Sequence, residues 1–280
     1  MQFDTVSAFV KARPALPGGV IAVLLCETRI HAQDSARRLA EQGAGAIIAI
    51  GSPVGLAEGL GELPVPVISI AERPTQRTAW THVNALIDAL GDRWLLWLWN
   101  SEWFVFPFGE TRTLNDLTAF LADERRKMIF TYALDLYAAE LPGGDADPRG
   151  AELCFDRIGY HAFPREEKVL RLFGGLGWRF AELTPRELQQ IGRTSLFRAQ
   201  RGTWLDRNYL FDDPEYGSVQ CKWHHNPTAA VMTLRRARRI MAHPQIHELR
   251  GKLMWQGTQR FDWTSRQLLE LGMIEPGQWF

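Results

Sequence analysis

The chain is poor in cysteine and carries no excess charge of either sign. Its three cysteines, Cys26, Cys154 and Cys221, are scattered and odd in number, and no CxxC occurs. That pattern suggests neither a disulfide scaffold nor a zinc knuckle. Lys+Arg and Asp+Glu are both 32 in 280 residues, so the formal net charge is zero. A neutral chain has no general electrostatic grip on nucleic acid or on an anionic membrane surface. No apolar run reaches the roughly 20 residues that a membrane-spanning helix requires. The first residues, MQFDTVSAFVKARPALPGG, have no basic segment leading into an apolar one. Neither a secretion signal nor a transmembrane segment is therefore expected, and a cytoplasmic location is the default. Internal repeats and low-complexity tracts are absent from the sequence.

What is present is apolar mass, 46% of the residues, enough for a large core in one big domain or one and a half. It is dealt out in short blocks. Val20 to Cys26 (VIAVLLC) and Ala46 to Ile50 (AIIAI) read as doubly buried parallel strands. Val65 to Ile70 (VPVISI) reads as a third strand, placed near an edge by Pro66. Ala32 to Gln42 has helical spacing and stops at Gly43; Ala79 to Leu90 is a second helix, and Arg93 to Trp99 the next strand. Thr113 opens a helix from Leu114 to Asp123, with Asp116 in the capping-box position. Lys127 to Tyr137 is a further strand of the same sheet, ending on Asp135, and a helix runs from Thr228 to Met241. This order predicts an α/β fold: a mostly parallel, doubly wound sheet with helices on both faces and an elaborated C-terminal half.

The run WLLWLWNSEWFVFPF, Trp94 to Phe108, is broken once, by Asn100-Ser101-Glu102. An unpaired carboxylate is costly inside a buried strand. The triplet therefore marks the place where the strand ends and the chain turns outward. In open α/β sheets ligands bind at the carboxyl ends of strands, so the triplet is the first candidate for a site. Asp135 ends another apolar strand and is the second. If both acids emerge at one rim of a mostly parallel sheet, they face a common crevice.

Together these blocks resemble the family-2 glycosyltransferases, in particular a bacterial subgroup with a "W…DxDE…P" block followed by "LDMY". Trp94 to Pro107 occupies the first block and Leu134-Asp135-Leu136-Tyr137 the second. VIAVLLCETR resembles the family's first strand and loop, and FDRIGYHAF, LRLFGG and GRTSLFR its acceptor-side segments. The resemblance covers roughly residues 18 to 230. It implies a GT-A, Rossmann-like fold. It also implies a division into an N-terminal lead (1–19), a nucleotide-sugar-binding half (20–140), an acceptor-side half (141–227) and a C-terminal helical segment (228–280). The chain departs from the family at the DxD itself, where Asn100-Ser101-Glu102 leaves one charge in place of two or three.

The resemblance assigns roles residue by residue. Asp135 and Glu102 are the catalytic candidates, Asp135 as the base that takes the acceptor's proton. Glu27, Arg29, Arg193 and Arg198 are donor-binding candidates, the last two because guanidinium matches a diphosphate in a bidentate way. Glu102, Asn100 and His224 are candidate ligands of a divalent cation, Mg²⁺ or Mn²⁺, if one is used. The partners implied are a nucleotide sugar and a carbohydrate or other hydroxyl acceptor, without nucleic acid. The basic cluster Arg235-Arg236-Ala237-Arg238-Arg239 reads as a solvated helix or a partner contact. Three functions compete: a glycosyltransferase, a catalytically inactive pseudo-glycosyltransferase that binds a partner, and a glycoside hydrolase with paired carboxylates. The polar residues at strand ends favour the first; the degenerate DxD favours the second.

Overall fold

The computed structural model describes residues 1–52, 56, 60–138, 148–165, 169–211, 226–248 and 253–279. In chain order the strands are β1 (Gln2–Phe3), β2 (Ile21–Cys26), β3 (Ala46–Gly51), β4 (Val67–Ile70), β5 (Trp94–Trp99), β6 (Glu102–Val105) and β7 (Phe130–Asp135). They continue as β8 (Cys154–Asp156), β9 (His161–Arg165), β10 (Val169–Phe173), β11 (Gly192–Arg193), β12 (Leu196–Arg198), β13 (Thr228–Thr233) and β14 (Thr258–Arg260). Two compact units form. One comprises Met1–Ser101, Thr111–Ile129 and Thr194–Tyr216; the other comprises Glu102–Glu110, Phe130–Arg193 and Gly217–Phe280. Each unit is thus assembled from separated stretches of the chain.

The first unit is the expected α/β arrangement, with a largely parallel sheet. Its six strands run in the order β1-β4-β3-β2-β5-β12, and every pair is parallel except β12 against β5. The runs IAVLLC and AIIAIG are buried at every position, as continuous apolar strands covered on both faces must be. Val23, Leu25, Ile48, Ile50, Trp97 and Trp99 belong to its core. Each such fully buried aliphatic side chain contributes about 1.5–3 kcal/mol. The helix Ala32–Glu41 buries Ala36, Leu39 and Ala40. The helix Leu114–Asp123 starts on a complete capping box between Thr113 and Asp116, as its sequence predicts. β4 lies one strand in from the edge, beside β1. Pro66 stays outside the strand and uses only its carbonyl, which accepts from Ile47 N.

The second unit corrects the single-sheet expectation. β6 and β7 do not extend the sheet of β5. They belong to a four-stranded sheet of order β11-β7-β13-β6, in which β13 is parallel to β7 and antiparallel to β6, and β11 is antiparallel to β7. Its central strand is the segment read as the start of a helix. Residues 228 to 233, TAAVMT, form β13, and only Leu234–Met241 is helical. A short apolar run fits a buried strand and a buried helix turn equally well by periodicity. Here pairing with β6 on one side and β7 on the other selects the strand. The C-terminal stretch 228–280 is therefore not purely helical; it also holds β14, paired with β8. Among the described residues no helix is long and apolar enough to cross a membrane.

Candidate functional site

Glu102 and Asp135 are brought to one rim. Glu102 opens β6, Asp135 ends β7, and each is the register partner of Thr233, the last residue of β13 between them. Residues directly opposite across strands face the same side of a sheet. The two acids are two inter-strand spacings apart, roughly 10 Å between backbones. The layer that carries them is mixed rather than mostly parallel.

Neither acid turns outward. Glu102 is 1% exposed, and burial is tolerated because its charge is met. Arg193 Nη1 lies 2.9 Å from Oε2 and 3.1 Å from Oε1, and Thr233 Oγ1 donates to Oε1 at 3.3 Å. Arg193 reaches it from β11, so this donor-binding candidate sits beside a catalytic one. Asp135, also 1% exposed, accepts from Arg236 Nε at 2.9 Å and from Leu176 N at 3.0 Å. Burial raises its carboxyl above the ordinary value, and the Arg236 charge opposes that rise.

Two features behind this arrangement escape a reading by motif. Arg236 is not a solvated member of a basic helix. It sits in the first turn of Leu234–Met241 and spends its fork on Asp135, Gln190 O (2.9 Å) and Leu188 O (2.6 Å). Arg235 is buried as well. Gly175, at the end of the segment LRLFGG, lies directly against Asp135. Gly175 has φ +65, and a Cβ there would lie 2.4 Å from Asp135 Oδ2. The following residue supplies the Leu176 N–H.

A second buried acid, Asp156, ends β8 as Asp135 ends β7. Its Oδ1 accepts from Tyr137 Oη at 2.5 Å, Trp255 Nε1 at 2.7 Å and Arg179 Nη1 at 3.0 Å. Burial, and then the Asp156 charge, push the Tyr137 hydroxyl well up. Asp156 also contributes to raising Asp135. The signal for it was available: CFD repeats the pattern of ALD, an apolar strand closed by an aspartate.

In the first unit, Asn100 staples the loop that follows β2. Its Nδ2 donates to Ile30 O at 2.7 Å and to Thr28 Oγ1 at 3.1 Å, while Oδ1 accepts from Glu27 N at 3.1 Å. Ser101, at φ +63, donates to Ile30 O. This fixes Glu27 and Arg29 in the loop at the carboxyl end of β2, with Arg29 exposed. Arg198 is elsewhere: it pairs with Trp94, at the amino end of β5. His224 lies outside the described residues. A divalent cation wants a cage of oxygens. The Asn100 amide is instead committed to backbone and Thr28, and Glu102 faces a guanidinium. Among the described residues no group of three His, Cys, Asp or Glu is disposed to hold a metal.

No family model and no curated protein matches the chain. Among solved structures it is similar to a "Putative Glucose-1-Phosphate Thymidylyltransferase" from Bacillus anthracis in complex with a sucrose. The identity is 9%, the TM-score 0.35, and the match covers 65% of this chain and 72% of that one. A likeness this slight carries no argument about function.

Proposed function

We propose that the chain is a glycosyltransferase of GT-A type, which moves a sugar from a nucleotide sugar to an acceptor hydroxyl. The observation that carries this reading is the common register of Glu102 and Asp135 with Thr233 at one rim. Asp135 is the base. Its raised carboxyl holds a proton more readily than an ordinary aspartate, which makes it a stronger base toward the acceptor hydroxyl. The acceptor oxygen attacks the anomeric carbon and gives its proton to Asp135; the bond to the diphosphate breaks and the nucleoside diphosphate leaves. Arg193 is the cation for the leaving diphosphate, with Glu102 holding that guanidinium in place. Glu27 and Arg29 lie in a strand-end loop suited to the nucleoside.

A second reading is favoured by one specific observation, that both acids are already paired with arginines. On that reading the fold binds a nucleotide or sugar and performs no transfer. Titration with several nucleoside diphosphates and their sugars, with and without Mn²⁺, followed by a turnover assay, separates the two. Binding with product formation, and loss of product in Asp135→Asn, supports the transferase. Binding without turnover supports the second reading. Failure to bind any nucleotide removes the transferase, and failure to bind a free sugar as well removes both.

A further inference from the structure

A different part of the molecule carries a site that the sugar-transfer reading does not use. In the first unit a cavity of about 390 Å³ is lined by Arg125, Arg126, Lys127 and Arg198, with Asp92 and Gln200. Its lining thus carries four cationic side chains and one acidic one. The chain as a whole is neutral, so this concentration is local. We propose that the cavity binds a small molecule bearing a diphosphate or longer phosphate chain.

The walls are built, not incidental. One is the segment that leaves the helix Leu114–Asp123, and the other is the edge strand β12. Hydrogen bonds lock them together: Arg198 N donates to Lys127 O at 2.7 Å, and Ile129 N to Leu196 O at 3.2 Å. Lys127 Nζ donates to Gln200 Oε1 across the opening at 3.2 Å. The two backbone segments that carry the cations are therefore held side by side before any ligand arrives, which lowers the ordering cost of binding.

The composition selects the ligand. Guanidinium forks match phosphate oxygens in pairs. Among the described residues no aromatic side chain lines the cavity, so none of them stacks on a nucleic-acid base. The volume is at the small end of ligand pockets, about 300–1,000 Å³, and exceeds what a single orthophosphate fills. Arg125 and Arg198 are exposed, so recognition rests on charge and falls steeply with salt.

Its place in the sheet sets it apart. Arg198 pairs with Trp94 at the amino end of β5, whereas Asn100 follows the carboxyl end of the same strand. Six residues of strand put roughly 20 Å between them. Donor ligands of open α/β sheets bind at carboxyl ends, so a ligand here is an effector rather than the donor.

The test is calorimetric titration of the full chain with inorganic pyrophosphate and tripolyphosphate, at low and at physiological salt. The double variant Arg125→Gly/Arg198→Gln and the rim variant Glu102→Gln serve as comparisons. The expected result is saturable binding, weakened about tenfold or more in the double variant through loss of two charge-assisted contacts, and retained in Glu102→Gln. Vesicles containing phosphatidic acid test a lipid source of the same phosphate chemistry. No binding of either polyphosphate, equal affinity in the double variant, or binding to vesicles alone overturns the proposal.

Discussion

Arg236 donates its Nε to Asp135 Oδ1 at 2.9 Å, from the first turn of a helix to the end of the strand beside the one that feeds that helix. A cation in a first helical turn opposes the helix dipole by about 0.3–1 kcal/mol. The aspartate compensates, and two carbonyls take the remaining fork. Removing the arginine leaves a carboxylate that is 1% exposed with one backbone amide for company. Arg236→Ala is predicted to lose about 3–5 kcal/mol, the cost of an orphaned buried charge. Urea unfolding measures it, and a variant within about 1 kcal/mol of the parent, well short of that range, would show that the pair is not what holds Asp135.

The same pair predicts a pH dependence. Burial raises the Asp135 carboxyl in the folded chain above its ordinary value of 3.8, against the pull of Arg236. Below the ordinary value both folded and unfolded chains carry the proton, and the group adds no slope. As pH rises from there through the raised folded value, the unfolded chain releases its proton first. Stability then falls, and it levels off once both states are ionised. Asp135→Asn removes this term. Compared with the parent, its unfolding midpoint should decline less as pH rises across the weakly acidic range. Parallel profiles for the two proteins would contradict the shift.

Restoring a carboxylate to the triplet should harm the protein. Asn100→Asp removes two donors and sets a carboxylate against Ile30 O, now 2.7 Å from Nδ2. Losing the two bonds and burying the mismatch costs about 1–3 kcal/mol, and Mn²⁺ affinity is predicted not to rise. Thermal unfolding with and without Mn²⁺ reports both. An aspartate variant as stable as the parent and newly responsive to the ion would mean that Asn100 still occupies a cation position.

Much of the first unit was legible because its strands are doubly buried and its helices carry their own stops. VIAVLLC, AIIAI and WLLWLW have no polar residue to place on a surface, and Thr113 with Asp116 is a start signal that acts locally. The second unit was less legible for a physical reason. TAAVMT is too short to show a period, and its state is decided by partners 98 to 131 residues away: Thr233 lies opposite both Asp135 and Glu102. At the site, strand ends pointed to Glu102 and Asp135, but the sequence could not show that they are closed by Arg193 and Arg236. Charge partners are a tertiary fact. Arg236 looked solvated because four arginines crowd one helix, yet their directions differ, and burial separates them.

Gly175 is predicted to be irreplaceable even by alanine. Its φ of +65 already disfavours a side chain, and the added methyl would meet Asp135 Oδ2 at 2.4 Å. Something must shift, and the atom in the way belongs to an ion-paired carboxylate. Gly175→Ala should cost more than about 1 kcal/mol and should disturb the Leu176 N–H bond to Asp135. On the sugar-transfer reading it also lowers turnover more than nucleotide affinity. Unchanged stability would mean that the glycine turn moves freely away from the acid.

Arg125 tests whether its corner of the protein was shaped for stability or for binding. The helix Leu114–Asp123 ends in the paired bonds of a Schellman turn, Arg126 N to Leu121 O at 2.7 Å and Arg125 N to Ala122 O at 2.9 Å. The residue between them, Arg125, has φ +56, a left-handed position that glycine usually fills. A side chain there costs about 1–2 kcal/mol. A cation after a helix C-terminus returns about 0.3–1 kcal/mol when exposed, and glycine forfeits about 0.4–1 kcal/mol through the unfolded chain. Strain is the largest of the three, so Arg125→Gly should leave stability equal or raise it by about 0.5 kcal/mol, while weakening pyrophosphate binding. Chemical unfolding and calorimetry on the same sample decide it. A stabilised protein with weaker pyrophosphate binding means that the arginine is kept for the ligand; a destabilised one means that its guanidinium serves the fold.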